Sequence, residues 1–168
     1  FDHCSCIPIM SKNKKIMAIK TRAELKTGRN FGDVLDSLQT SLTMVENIAA
    51  AKTLTQEDSG KTFFINQASA YEITLPLMAS VTSGWNCKFI LGTVAANAVT
   101  IANNTAEDTI VGGVAGADGG AATHAETAVD EIVFISGAVL GDQCNIVSNG
   151  TNYFVTGYAA DVAHVTVS

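Results

Sequence analysis

Proline is almost missing, with 2 in 168 residues, and only 15% of the side chains are charged. A disordered chain is richer in both and poorer in apolar residues than this one, which is 47% hydrophobic, so the composition is that of a folded protein. Aromatic residues are scarce as well, at 7% with a single Trp, and a sugar-stacking platform is not evident; Trp85, Tyr153, Phe154 and Tyr158 read as core or interface residues. Long apolar runs are lacking. The longest, residues 132–140, is far too short to cross a bilayer as a helix. The N-terminal basic cluster follows its apolar patch rather than preceding it, which is not the order of a signal peptide.

The means of catalysis are equally thin. The three histidines, His3, His124 and His164, are far apart, and none has a second His two or four residues away. The four cysteines do not form the paired Cys-x-x-Cys spacing of a structural zinc site: Cys4 and Cys6 stand alone, while Cys87 and Cys144 fall inside apolar strand patterns. The latter two read as buried free thiols, with a bridge between them as the alternative, and the usage fits synthesis in a reducing cytoplasm. Residues 52–168 hold no Ser-x-x-Lys or Gly-x-Ser-x-Gly. Gly60-Lys61-Thr62 has the ending of a phosphate loop without its earlier glycine or following helix. The acidic pairs Glu57-Asp58, Glu107-Asp108 and Asp130-Glu131 fall at strand entrances. Such groups can build a calcium site or a glycosidase pair; the simpler reading is turn-forming acids that keep loops solvated. No catalytic or metal-ligating residue is nominated, and nothing calls for a cofactor.

What is present is an uneven distribution of charge. Residues 1–30 carry seven basic side chains against two acidic ones, net +5; residues 31–168 carry three against fourteen, net −11. A basic arm on an acidic body either docks on an acidic partner or is a solvated tail. The field of the body repels phosphate, which speaks against nucleic acid as its partner. The run Met17-Ala18-Ile19-Lys20-Thr21 resembles a protein start, so residues 1–16 read as an upstream extension, or Phe1 marks processing or truncation.

Residues 31–51 give the one helical signal. Asn30 is placed to cap, with Asp33 three residues on, and Phe31, Leu35, Leu38, Leu42, Val45 and Ala49 alternate spacings of four and three. This stripe is either a short coiled coil joining identical subunits or an amphipathic helix lying on its own domain. From residue 52 the period becomes two. Strands are expected at 62–66, 71–77, 85–94, 98–102, 108–114, 131–136 and 164–167, with 144–147 and 153–156 joined as a hairpin across Asn149-Gly150. Pro76 ends its strand or places it at an edge. The glycine-rich stretch 112–123 reads as an exposed, mobile loop. The expected class is all-β: a β-sandwich, jelly roll or barrel-like body over 52–168, preceded by the arm (1–30) and the helix (31–51).

Several segments occur in the same order in small virion proteins of tailed bacteriophages: Asp58-Ser59-Gly60-Lys61-Thr62-Phe63, Ile73-Thr74-Leu75-Pro76, Phe89 in an apolar strand, Val99-Thr100-Ile101, Asp108-Thr109-Ile110-Val111-Gly112, Gly141-Asp142 and 147–155. Residues 54–160 thus resemble capsid decoration (cement) proteins and related head or tail-fibre modules. The resemblance implies a non-enzymatic homotrimer made in the host cytoplasm, carried on the virion exterior and clamping subunits of the major capsid protein. It implies no membrane and no nucleic-acid partner. Under it, Lys20, Arg22, Lys26 and Arg29 of the arm face the capsid, and Phe31, Leu35, Leu38, Leu42 and Val45 form the subunit seam. The alternative is a tail-fibre or receptor-binding module that adheres to a host surface.

Overall fold

The computed structural model describes residues 44–66, 68–93, 96–104, 109–120 and 123–168. The chain divides into two compact units, Phe1–Leu42 and Thr43–Ser168, and every described residue belongs to the second. The basic arm, with Lys20, Arg22, Lys26 and Arg29, lies outside the described residues. So do Phe31, Leu35, Leu38 and Leu42 of the expected helical seam.

The described unit is all-β, with three short 3-10 turns and twelve strands. These are β1 (Val45–Ile48), β2 (Lys52–Thr53), β3 (Lys61–Ile65), β4 (Tyr71–Thr74), β5 (Asn86–Leu91), β6 (Val99–Ala102), β7 (Ile110–Gly116), β8 (Thr123–Val129), β9 (Glu131–Phe134), β10 (Gln143–Ser148), β11 (Tyr153–Ala159) and β12 (Val165–Val167). They form a seven-stranded sheet in the order β1-β3-β5-β10-β11-β7-β8 and a five-stranded sheet in the order β12-β9-β6-β4-β2.

The first six strands alternate between the sheets. β1, β3 and β5 pair in parallel in one, and β2, β4 and β6 pair in parallel in the other. The chain therefore winds through three turns of a two-sided coil. Antiparallel pairs follow, β10 against β5 and β9 against β6, β11 then pairs in parallel with β7, and β12 lies against β7 and β8 at the far side. Jelly rolls and up-and-down barrels are built of antiparallel neighbours; the opening coil is not, and the sheets do not close into a barrel.

Val45 corrects the expected seam. It is the first residue of β1 and points outward from a strand paired with Thr62–Ile65, so the helix does not reach residues 45–50 and the β body begins before residue 52. The spacing of Leu42, Val45 and Ala49 satisfies a helical stripe, but Val45 and Ile48 are β-branched and gain a ladder beside β3. The glycine-rich stretch also differs from its expectation. Residues 110–116 and 123–129 are strands of an antiparallel pair, leaving a shorter connection between them. Gly112 is essential to it: its φ is +113°, and a Cβ there would fall 2.2 Å from the Val155 carbonyl oxygen on β11.

Alternation along the strands builds one core between the sheets. Phe63 and Phe89 stack at 5.3 Å between centroids, and Ile65 and Leu91 follow them in register. Ile73, Ile101, Ile132 and Val167 form the facing row of the other sheet. Trp85 and Tyr153 are core residues in edge-to-face contact, and both satisfy their polar atoms: the indole N–H donates to the Thr55 carbonyl at 3.0 Å and the phenol to the Pro76 carbonyl at 2.8 Å. The expected hairpin is present, with Gly150 at φ +92°. The Asn149 side chain accepts from the N–H groups of Thr151 and Asn152.

Candidate interaction surface and the buried charged groups

The two sheets end differently at the first turn of the coil than in their interiors. In the seven-stranded sheet the inward row runs Glu46, Phe63, Phe89, Cys144. In the five-stranded sheet it runs Lys52, Ile73, Ile101, Ile132. Each edge strand thus places a charge where its neighbours place an apolar group. Lys52 pairs with Glu46 across the end of the core and lies 5.2 Å from the Phe63 ring centroid. Asp58 and Lys61 complete the cluster, with Lys61 Nζ donating to Asp58 Oδ1 at 2.7 Å, Lys52 at 3.9 Å from the same oxygen, and Lys61 at 3.6 Å from Glu46.

The Asp58 side chain is only 8% exposed. The 3-10 turn Gln56–Asp58 aims it inward, where Oδ2 accepts the Thr55 N–H at 2.9 Å. Burial pushes its carboxyl up, but the bond from Lys61, the bond from Thr55 and the charges of Lys61 and Lys52 outweigh it, leaving Asp58 below the ordinary carboxylate value. Lys61 is raised in return, first by its bond to Asp58, against the opposing effect of burial. Asp58 is therefore not the solvated turn acid expected from its position in Glu57-Asp58. It ties the first connection of the coil to β3. Inward-pointing charge at a sheet edge also discourages another strand from adding there.

A second buried carboxylate sits outside this cluster. Asp142 accepts the N–H of Val139 through Oδ2 and that of Ala160 through Oδ1, both at 2.8 Å, and its Oδ2 lies 2.9 Å from His164 Nδ1. One side chain thereby joins the connection before β10 to the turn before β12. The Gly141-Asp142 turn marks the place in the sequence, but its partners are set by the tertiary fold. Cys87 and Cys144 are free thiols buried on the inward faces of adjacent strands. Burial pushes Cys144 up to about 12. It raises Cys87 too, with the proximity of Cys144 and Asp58 adding to the effect. Neutral, enclosed thiols of this kind are inert nucleophiles.

Of the other acids, Glu57, Asp130 and Glu131 do not come together with these, Glu107-Asp108 lies outside the described residues, and His124 is on β8 rather than in a loop. Among the described residues, no group of three or more His, Cys, Asp or Glu is placed to hold a metal ion, and no helix is long and apolar enough to cross a membrane.

The outer faces of the sheets are the remaining candidates, and they differ. Across β1, β3, β5, β10, β11 and β7, the outward positions carry one charged residue, Lys88, and no carboxylate; the edge strand β8 adds the exposed Glu126. Val147 and Phe154 are paired across β10 and β11, and they are 47% and 43% exposed. Tyr158, 52% exposed, lies opposite Gln143, with Ile90 and Phe64 continuing its row. The outer face of the five-stranded sheet instead presents Glu72 and Glu131 among Thr53, Thr74, Thr100 and Thr166. One face resembles the interior of a protein interface, depleted in charge and bearing aromatics; the other is a solvated face.

These features define an all-β, two-sheet body with one charge-depleted face. No family model matches the chain, and no curated protein matches it.

Proposed function

We propose that this chain is a virion structural protein: a capsid decoration (cement) protein that binds the outer surface of an assembled phage head as a homotrimer and stabilises it. The observation that carries the reading is the asymmetry of the body. Residues 44–168 hold three lysines and twelve carboxylates, yet six adjoining strands of one sheet present no carboxylate outward, Glu126 standing only on its edge strand β8, while the smaller sheet presents Glu72 and Glu131. A body of this kind has a side for protein and a side for water. The segments that resemble phage virion proteins fall on the parts that set the coil: the turn into β3, the inward positions of β4, β5 and β6, the Asp142 clamp and the β10–β11 hairpin. The resemblance is thus carried by fold-determining positions.

In this reading the basic arm, through Lys20, Arg22, Lys26 and Arg29, lies along acidic surface of the major capsid protein. Phe31, Leu35, Leu38 and Leu42 form a short seam between subunits that is too weak to hold them alone, and Val45 is withdrawn from it. A trimer engages several coat subunits at once, so weak single contacts multiply. Binding only to the assembled shell stabilises the shell by mass action. Deleting residues 17–30 is expected to abolish binding to assembled shells while leaving the β body folded; undiminished binding refutes the mechanism. Copy number separates decoration, with one set per coat position, from a fibre or adhesion module present a few times per particle.

A further inference from the structure

We propose that the outer face of the seven-stranded sheet is a self-association surface on which a second copy of this chain seats. This deepens the proposed function by naming the contact between subunits, and it rests on that reading only for the number of copies.

Charge comes first. The body carries an excess of carboxylates over nearly its whole chain, so two copies repel wherever those acids meet. The broad surface from which acids are missing is the part of this face built by β1, β3, β5, β10, β11 and β7; Glu126 lies beyond it on the edge strand β8. There, like copies approach without placing carboxylate against carboxylate. A strongly basic partner would find its complement elsewhere on the body. A solvent-facing sheet would be expected to look like the five-stranded one, with Glu72 and Glu131 among threonines.

Shape and composition agree. The outward residues at the centre of the face, Val147, Phe154 and Tyr158, are large, apolar or aromatic, and exposed, which is what the core of an interface uses and what a solvated face avoids. Six strands at ~4.8 Å spacing and about five residues of ~3.3 Å rise give roughly 400 Å² in projection. Pleating and side chains raise the accessible area toward the ~800 Å² per partner of a standard interface. The edge at β1 and β2 offers a weaker route, because Glu46 and Lys52 stand at inward positions there, beside the buried Ile48. Association is therefore directed to the face, and copies that turn these faces toward a common axis form a closed assembly rather than an open fibre.

The test is the solution mass of the full-length chain by sedimentation velocity and light scattering, for wild type, Val147→Glu and Phe154→Glu. Thr166→Glu on the opposite sheet is the charge control. Wild type and Thr166→Glu are expected at a multiple of the 17.5 kDa chain mass, and both face variants at 17.5 kDa with unchanged circular dichroism. If either glutamate variant unfolds, Phe154→Ala and Tyr158→Ala replace it, with association expected to weaken at least tenfold. A monomeric wild type overturns the proposal, as does an assembly that survives the face substitutions. Binding of the same proteins to assembled shells is measured in parallel. A monomeric wild type that binds shells through this face assigns the face to the coat protein, which refutes self-association while leaving the decoration function standing. Loss of shell binding in the arm deletion without loss of oligomer leaves this proposal intact.

Discussion

Replacing Lys61 with Met removes an ammonium group and keeps most of the aliphatic stem that packs at the end of the core. Asp58 then keeps its buried position and the Thr55 N–H, but loses the 2.7 Å bond from Lys61. Lys52 remains at 3.9 Å, shared with Glu46. Removing one partner of a fully buried pair costs about 3–5 kcal/mol. Lys61 keeps some contact with water, with 16% of its side chain exposed, and Lys52 supplies part of the compensation. The expected loss at neutral pH is therefore smaller, about 2 kcal/mol, the range of a hydrogen bond to a charged group. Asp58→Asn combined with Lys61→Met restores part of this, because no uncompensated charge stays buried.

The pH dependence separates this account from a simple packing defect. In the native protein Asp58 is held below its ordinary value. Its contribution is present above about pH 4 and is lost as pH falls through the depressed native value. In Lys61→Met the chief lowering interaction is gone and burial remains, so the carboxyl protonates more readily in the folded state and the buried charge is relieved as pH falls. The gap between wild type and variant is thus widest at neutral pH and closes toward pH 3. At the other end Lys61 is raised; its contribution is present below its ordinary value and is lost as pH rises through the native one. The assay is urea unfolding at fixed protein concentration, followed by the fluorescence of Trp85, the chain's single and buried tryptophan. A gap that stays constant between pH 7 and pH 3 refutes the reasoning.

Gly112→Ala is expected to destabilise by about 2–4 kcal/mol in the same assay, because the added Cβ meets the Val155 carbonyl in a left-handed backbone conformation; a loss below 1 kcal/mol would show that the β7–β11 pairing yields easily. In a Cys4→Ser/Cys6→Ser background, Cys87 and Cys144 should not react with a disulfide reagent at pH 8 until denaturant is added, and prompt labelling of the native protein would contradict their enclosure. Asp142→Ala leaves the N–H groups of Val139 and Ala160 without their acceptor and should cost about 2–3 kcal/mol, more than His164→Ala, which removes a single contact; equal losses from the two would mean that the histidine, not the backbone, holds the clamp.

Period-two alternation made β3, β5, β10 and β11 legible, and Asn149-Gly150 marked their clearest turn. How the strands pair was not legible. A strand with one buried face alternates in the same way whether its neighbour runs parallel or antiparallel, so Phe63 and Phe89 gave no sign that they stack in a coil. β1 was hidden for a different reason. Val45 lies on a stripe that continues from Phe31 through Leu42, and a four-residue strand carries too few residues to outvote it. Glu46, Lys52, Asp58 and Lys61 lie on β1, β2, the 3-10 turn before β3 and β3 itself, and their convergence depends on registers that local spacing does not encode. The six-strand patch without acids was out of reach too. Outward residues from six strands form one surface only once the strand order is known, and that order, with β10 and β11 inserted between β5 and β7, departs from chain order.

The cluster and the face bear on each other through the problem that every open sheet must meet. A coil whose first turn ends, among the described residues, in unpaired strand edges invites further strands to add, those of identical copies included. Here the first turn carries Glu46 and Lys52 on its inward side, so a strand added beyond β1 or β2 would have to extend the Phe63–Phe89 row from a charged pair, while only Ile48 offers it an apolar row. Growth along the coil is opposed by burial of that pair, while contact through the outer face buries Val147 and Phe154 at no such cost. Edge addition has no natural end, whereas face contacts about an axis close on themselves. The placement of charge at the edge and its scarcity on the face therefore favour the same outcome, a finite assembly, as the proposed decoration of a shell of fixed geometry requires.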